Sequence, residues 1–179
     1  MASYTAPLRD MRFVYHELLE GDALSDIKGY EDFTPDVVDA VLEEAGKFTA
    51  EVLQPLNLSG DNEGCTLENG VVRTPKGFKE AYDQFAQGGW TGLSADPDFG
   101  GQGAPAALHF LIQEMICSSN MAFGMYPGLT EGAYNAINLH GTDEQKALYL
   151  PKFVEGRWSG TMCLTEPQCG TDLGLIRTK

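Results

Sequence analysis

Between Met11 and Pro151 apolar side chains recur at three- and four-residue spacing, and after Gly156 that spacing stops. A period near 3.6 gives each helix one apolar stripe, and every stripe must be buried against a neighbour. The chain is therefore expected to be mainly α over residues 1–156 and to change character beyond them. Met11, Val14, Tyr15 and Leu18 mark a first short helix, and residues 21–33 are a polar surface connection. Thr34-Pro35-Asp36 is a start signal: Thr34 can cap, Pro35 suits the first helical position, and Asp36 favours the positive end of the helix dipole. Val38, Val41, Leu42, Ala45, Phe48 and Val52 continue one face until Pro55, which is expected to end that helix. Gly60 to Gly64 follows as a turn.

Thr66–Glu68 and Val71–Thr74 flank Asn69-Gly70, the dipeptide preferred by type I′ hairpins because both central residues need positive φ. A small hairpin near 66–74 is expected. Thr74-Pro75 repeats the capping logic, and Phe78, Ala81, Tyr82, Phe85 and Ala86 form a third stripe that stops at Gly88-Gly89. A glycine-rich loop covers 89–103. Leu108, Leu111, Ile112, Met115 and Ile116 define a fourth helix, and a fifth is expected from about Gly128 to His140. Thr142 with Gln145 is a capping box for a short sixth helix, which should falter near Pro151. Trp158 to Thr165 alternates loosely in the manner of a strand, Glu166-Pro167 turns, and Leu173–Lys179 is a second extended piece. A lone hairpin cannot bury its own face. Residues 157–179 are thus expected to be the truncated start of a β-domain.

Charge narrows the function classes. Lys and Arg total 12 against 26 Asp and Glu, a net charge of −14. Nucleic-acid binding needs a basic face, so no nucleic-acid partner is expected. Docking to an anionic membrane surface is disfavoured on the same ground, and no stretch has the length of a membrane span. The N-terminus shows no apolar signal core. The four cysteines form no C-x-x-C pair and the three histidines stand apart, so neither a disulfide framework nor a metal site is expected. Reduced thiols in a cytoplasmic protein are the expectation.

The segment with chemical promise is Thr161-Met-Cys-Leu-Thr-Glu-Pro-Gln-Cys-Gly-Thr-Asp172. It offers backbone amides, a threonine hydroxyl at their end, and a Pro–Gly turn with another hydroxyl. That set suits a flat heterocycle with donor and acceptor edges, followed by a phosphate. The same residues would serve equally as an ordinary strand and turn.

Cys-Leu-Thr-Glu-Pro-Gln-Cys-Gly-Thr-Asp resembles the flavin-binding signature of acyl-CoA dehydrogenases. Gly141-Thr-Asp-Glu-Gln-Lys with Tyr149-Leu-Pro-Lys152 is similar to the family segment before it, as are Gly89-Trp-x-Gly-Leu and Phe99-Gly-Gly-Gln-Gly103. The pieces keep the family's order and cover roughly Thr74 to Lys179. The resemblance implies the N-terminal helical domain of the acyl-CoA dehydrogenase fold plus the first strand or strands of its middle β-domain.

It also implies FAD as cofactor. Met162, Cys163, Leu164 and Thr165 would face the isoalloxazine edge, where donors stabilise the charge on the reduced ring. Gly170 and Thr171 would lie near the pyrophosphate, with Thr171 also close to the CoA portion of the substrate. Phe123, Met125 and Tyr126 are candidates for the acyl pocket, though plain helix packing accounts for them too. Two residues depart from the pattern: Thr171 stands where Ser is usual and Cys169 where Ala is usual. Glu166, in a Glu-Pro turn, is expected to be structural.

The family's catalytic base is a carboxylate of the C-terminal domain, so no catalytic residue is expected in this stretch. By itself the stretch should be inactive and should hold FAD poorly. An acyl-CoA substrate, an electron-transfer flavoprotein acceptor and a homodimeric or homotetrameric parent are the implied partners. The Thr-Glu-Pro-Gln-Cys-Gly-Thr-Asp variant looks similar to the branch acting on 3-methylmercaptopropionyl-CoA. The same motifs would also fit an acyl-CoA oxidase or a flavin monooxygenase on this scaffold, and the helices without the motif would fit a non-enzymatic interaction module.

Overall fold

The computed structural model describes residues 3–178. Met1 and Ala2, part of the stretch read for a signal sequence, and Lys179, the end of the second extended piece, lie outside the described residues.

The longest element, α5 (Ala106–His140), is the axis around which the others pack. It touches α2 (Pro35–Phe48), α3 (Gln54–Glu63), the π-helical segment Thr49–Leu53 that joins them, and α6 (Asp143–Val154). The first helix, α1 (Leu8–Arg12), runs into a π turn over Phe13–Leu18 and lies on α2. Strands β1 (Thr66–Glu68) and β2 (Val71–Arg73) form the expected antiparallel hairpin, with Thr66 opposite Arg73. Asn69 and Gly70 both have positive φ, 52° and 78°, as the type I′ turn requires. The α4 helix (Phe78–Gln87) completes the larger core.

That core contains Met11, Tyr15, Leu42, Leu53, Phe85, Leu108, Met115 and Phe123. Burying each such side chain is worth about 1.5–3 kcal/mol. A smaller cluster of Ala95, Tyr134, Leu150, Phe153 and Val154 ties α6 to the second half of α5.

Several expectations need correction. Leu18, expected on the first stripe, is exposed, because the wide π turn brings Met11 and Tyr15 inward and swings residue 18 out. Pro55 does not end its helix: α2, the π segment and α3 follow one another without a break in helical backbone. A proline ring normally clashes with the carbonyl one turn earlier, and the widened turn just before it relieves that clash. Gly60 is helical rather than part of a turn, and a Cβ there would lie 2.5 Å from the Phe78 ring. The helix stops at Gly64 instead, where φ is 67°.

The expected fourth and fifth helices are continuous in sequence, broken only at Asn120 (φ −157°, ψ 87°). The second half therefore begins just after Asn120, not near Gly128. Asn120 caps it, its Oδ1 accepting from the Phe123 amide at 3.0 Å, while its Nδ2 donates to the Leu53 carbonyl at 3.1 Å. One buried side chain thus caps a helix and satisfies a carbonyl of the π segment across the core.

The capping box forms as expected, with Thr142 Oγ1 accepting from Gln145 N and Gln145 Oε1 accepting from Thr142 N. Thr34 makes no side-chain cap. Helix α6 passes Pro151 without faltering and runs to Val154. Trp158–Thr165, expected as a strand, is irregular, and Leu173–Leu175 is a single 3₁₀ turn. An extended segment becomes a strand only beside another, and among the described residues none lies beside this one.

Candidate functional site

Helix α6 hands the chain to residues 156–160, which lie across α4 and α5 as a strap. Gly156 turns with φ +70°, and its carbonyl accepts from Tyr82 Oη at 3.1 Å. Trp158 rests against Tyr149, with Lys152 Nζ 3.9 Å from the indole centroid. Ser159 Oγ and Tyr126 Oη are 2.5 Å apart. Gly160 N donates to Thr130 Oγ1 at 3.1 Å.

The motif residues follow. Met162, Cys163, Leu164 and Thr165 are exposed, and no backbone hydrogen bond among the described residues engages their amides. Glu166 and Cys169 then exchange two backbone bonds of 3.0 Å, with Cys169 buried beneath the turn. Gly170 and Thr171 are exposed, and a Cβ built on Gly170 meets nothing within 4 Å. Four successive free amides, a hydroxyl, and an open glycine are a donor set that fits the polar edge of a flat heteroaromatic ring and an adjoining phosphate.

Glu166 closes this loop. Its carboxylate accepts from the Thr178 hydroxyl at 2.6 Å, the Thr178 amide at 2.9 Å and the Arg177 amide at 3.0 Å, and it also bonds Gln168. Those bonds, led by the Thr178 hydroxyl and amide, hold its pKa down to about 2. A carboxylate so weakly basic is a clip, not a proton acceptor at neutral pH.

The three acyl-pocket candidates separate. Phe123 is buried and packs edge-on to Phe85 with centroids 5.5 Å apart. Tyr126 is half-exposed and lies edge-on to Tyr82 at 5.2 Å. Phe123 and Tyr126 both line a groove of about 1030 Å³, together with Leu58, Val72, Phe78 and Tyr82. Met125 is exposed and outside that lining, since one helical step of about 100° from Tyr126 points it elsewhere. Sequence reasoning placed Tyr82 only in a core stripe and passed over Thr130 and Ser159. The period of α4 does identify the buried face, but nothing in it shows that the Tyr82 hydroxyl meets residue 156.

Residues 36–157 match the family described as acyl-CoA dehydrogenase, N-terminal domain. The chain is 45% identical over 175 residues to a 3-methylmercaptopropionyl-CoA dehydrogenase of Ruegeria pomeroyi, which spans 98% of this chain and 30% of that protein. It is 33% identical over 181 residues to a butyryl-CoA dehydrogenase of Syntrophomonas wolfei, covering 99% and 30%. Among solved structures, butyryl-CoA dehydrogenase from Megasphaera elsdenii superposes with a TM-score of 0.64 at 26% identity, over 77% of this chain and 34% of that one. The ChsE4–ChsE5 complex of Mycobacterium tuberculosis gives 0.54 at 20% identity, over 99% and 35%, a likeness of fold. The chain spans about three tenths of the length of these two curated relatives.

Proposed function

The chain belongs to the acyl-CoA dehydrogenase family, and from that premise we propose that it forms the helical part of an FAD-dependent enzyme oxidising an acyl-CoA thioester to its 2,3-enoyl-CoA. Residues 1–156 are the N-terminal helical domain in this reading, and 157–179 open the middle β-domain. The observation that carries it is the run of exposed residues Met162, Cys163, Leu164 and Thr165, whose amides make no backbone hydrogen bonds, in a chain whose relatives are acyl-CoA dehydrogenases.

Bound FAD would supply the acceptor for a hydride from the substrate's β-carbon. The amides of residues 162–165 and the Thr165 hydroxyl would orient the ring and stabilise negative charge on it by hydrogen bonding. Gly170 leaves room for a pyrophosphate, and the Thr171 hydroxyl serves that group and the CoA portion of the substrate. Phe123 and Tyr126 offer an apolar wall for a short acyl chain, whereas Met125 lies outside that groove. We favour 3-methylmercaptopropionyl-CoA, in line with the 45% identity to the Ruegeria pomeroyi enzyme.

Glu166 is committed to the loop, and in this reading removal of the substrate's α-proton falls to a carboxylate outside this stretch, which alone would have no turnover. An electron-transfer flavoprotein as acceptor, a homodimeric or homotetrameric parent and a cytoplasmic setting complete the reading. All four cysteines are free thiols, the state a reducing compartment maintains.

Anaerobic titration of the full-length protein with acyl-CoA thioesters, followed by flavin absorbance, tests this. Bleaching by 3-methylmercaptopropionyl-CoA, with slow reoxidation by oxygen, is expected. Rapid reoxidation would make it an oxidase, and a flavin unbleached by every thioester would point to a monooxygenase. Protein that neither carries nor takes up FAD would overturn the reading.

A further inference from the structure

We infer that Thr130 and Tyr126 are positioning residues for the cofactor segment: they set where residues 161–172 stand by fastening the strap that precedes them. The inference rests on the assignment of Met162–Thr165 as the cofactor-facing run. Those four residues have no backbone bonds of their own to the helices. Their place relative to α5 is inherited from residues 156–160.

Three side chains on two helices fasten that strap at three points. Tyr82 bonds the Gly156 carbonyl, Tyr126 bonds Ser159, and Thr130 accepts from the Gly160 amide. The last bond is the most protected, since Thr130 is 7% exposed and Gly160 is buried. Gly160 lies flush against the helix backbone: a Cβ there would come within 2.5 Å of Ala133 Cβ and 2.9 Å of the Leu129 carbonyl oxygen. The strap is therefore fixed both in distance from α5 and in register along it, one residue before the motif begins.

The helical body has little need of these hydroxyls. The cluster of Tyr134, Leu150, Phe153 and Val154 joins α5 to α6 by apolar contact. The hydrogen bonds that Thr130 Oγ1 and Tyr126 Oη make run to the strap. Tyr126 also lines the large groove, so the groove wall and the strap share a side chain. Deleting the hydroxyls should displace the motif more than it disturbs the helices.

The test uses the full-length protein with Thr130→Val, Thr130→Ser and Tyr126→Phe. Thr130→Val keeps the shape and strands a buried amide, so the FAD dissociation constant should rise about tenfold and the flavin potential should shift. Thr130→Ser should restore both, and Tyr126→Phe, at a more exposed bond, should do less than Thr130→Val. Hydrogen exchange of the flavin-free protein should quicken within the strap, above all at the Gly160 amide, in Thr130→Val while α5 and α6 keep their protection. Unchanged exchange at the Gly160 amide overturns the inference, with or without flavin, and so does an unchanged FAD dissociation constant with an unchanged potential. Wild-type protein that holds no FAD overturns the cofactor assignment instead, and the exchange measurement then decides on the strap by itself.

Discussion

The helical body and the segment from residue 161 onward are built on opposite plans. In the body, Leu42, Leu53, Leu108 and Met115 have no exposed surface, and the helix breaks at Asn120 and Thr142 each meet a side-chain partner. In the later segment Met162, Leu164, Leu173 and Leu175 are between 42% and 67% exposed. Its order comes from a two-bond turn and one carboxylate. The body's core residues specify contacts made within it, whereas in the proposed reading the later segment's residues specify contacts to something placed beside it. An exposed apolar run of that kind signals a surface meant to be covered.

The largest test of this contrast is core truncation. Leu42→Ala or Met115→Ala should cost about 2–5 kcal/mol in a urea melt, as expected for a fully buried side chain. Leu164→Ala should stay within about 0.5 kcal/mol, as an exposed position does. Equal losses at the two kinds of site would abolish the distinction.

Asn120→Ala comes next, at about 1–3 kcal/mol, because it removes a cap and leaves the Leu53 carbonyl buried without its donor. Asn120→Asp separates the two roles, keeping the cap acceptor while losing the donor. Denaturant midpoints of the pair read the difference.

A smaller effect concerns Glu166 and acid. A carboxylate whose pKa falls on folding stabilises above its unfolded value, about 4.3, and that contribution disappears as pH drops through the folded value. The order of residues 166–178 should therefore persist to about pH 2, with the body's melting unaffected by its loss. Amide exchange at Arg177 and Thr178 follows it, and Glu166→Ala, which removes the acceptor, should free both amides at neutral pH.

The smallest effect lies within the body. His16 bonds Asp22 at 2.5 Å and Asp39 at 3.1 Å, and Arg12 bonds Asp39 and Glu43. Burial opposes the imidazolium charge, but the two carboxylate bonds outweigh it and raise the His16 pKa. Burial likewise works against ionised Asp39, and the bonds from His16 and Arg12 outweigh it and lower that pKa. The histidine contribution is complete below about pH 6.5 and fades as pH rises through the raised value, while that of Asp39 is complete above about pH 4. Docking of the first helix should peak between those limits, weakly and in a salt-dependent way, because both aspartates are over a third exposed. Thermal midpoints against pH, flattened by His16→Gln, are the check.

What was legible in the sequence follows the same division. Asn69-Gly70 and Thr142 with Gln145 act through neighbours a few residues away, so their hairpin and cap can be read from the chain. Pro55 misleads because the π turn that accommodates it depends on packing against α5 and on Asn120, far along the sequence. The motif at 161–172 is visible as a pattern of residue types, but its irregular backbone is not, since alternation reports only how a segment would sit between two surfaces. Thr130, Tyr82 and Ser159 escaped because hydroxyls reaching residues 30 to 74 positions away leave no period behind.

The elbow at Asn120 also limits how a chain of this kind can change length. Adding one residue between Ala106 and Ser119 would turn everything after it by about 100°, carrying Phe123, Tyr126 and Thr130 off their partners at once. Insertions and deletions should accumulate at the hairpin tip around Asn69 or in the 21–33 connection, which feed no downstream phase. Length variation among descendants of this sequence would then map the joint as plainly as any coordinate does.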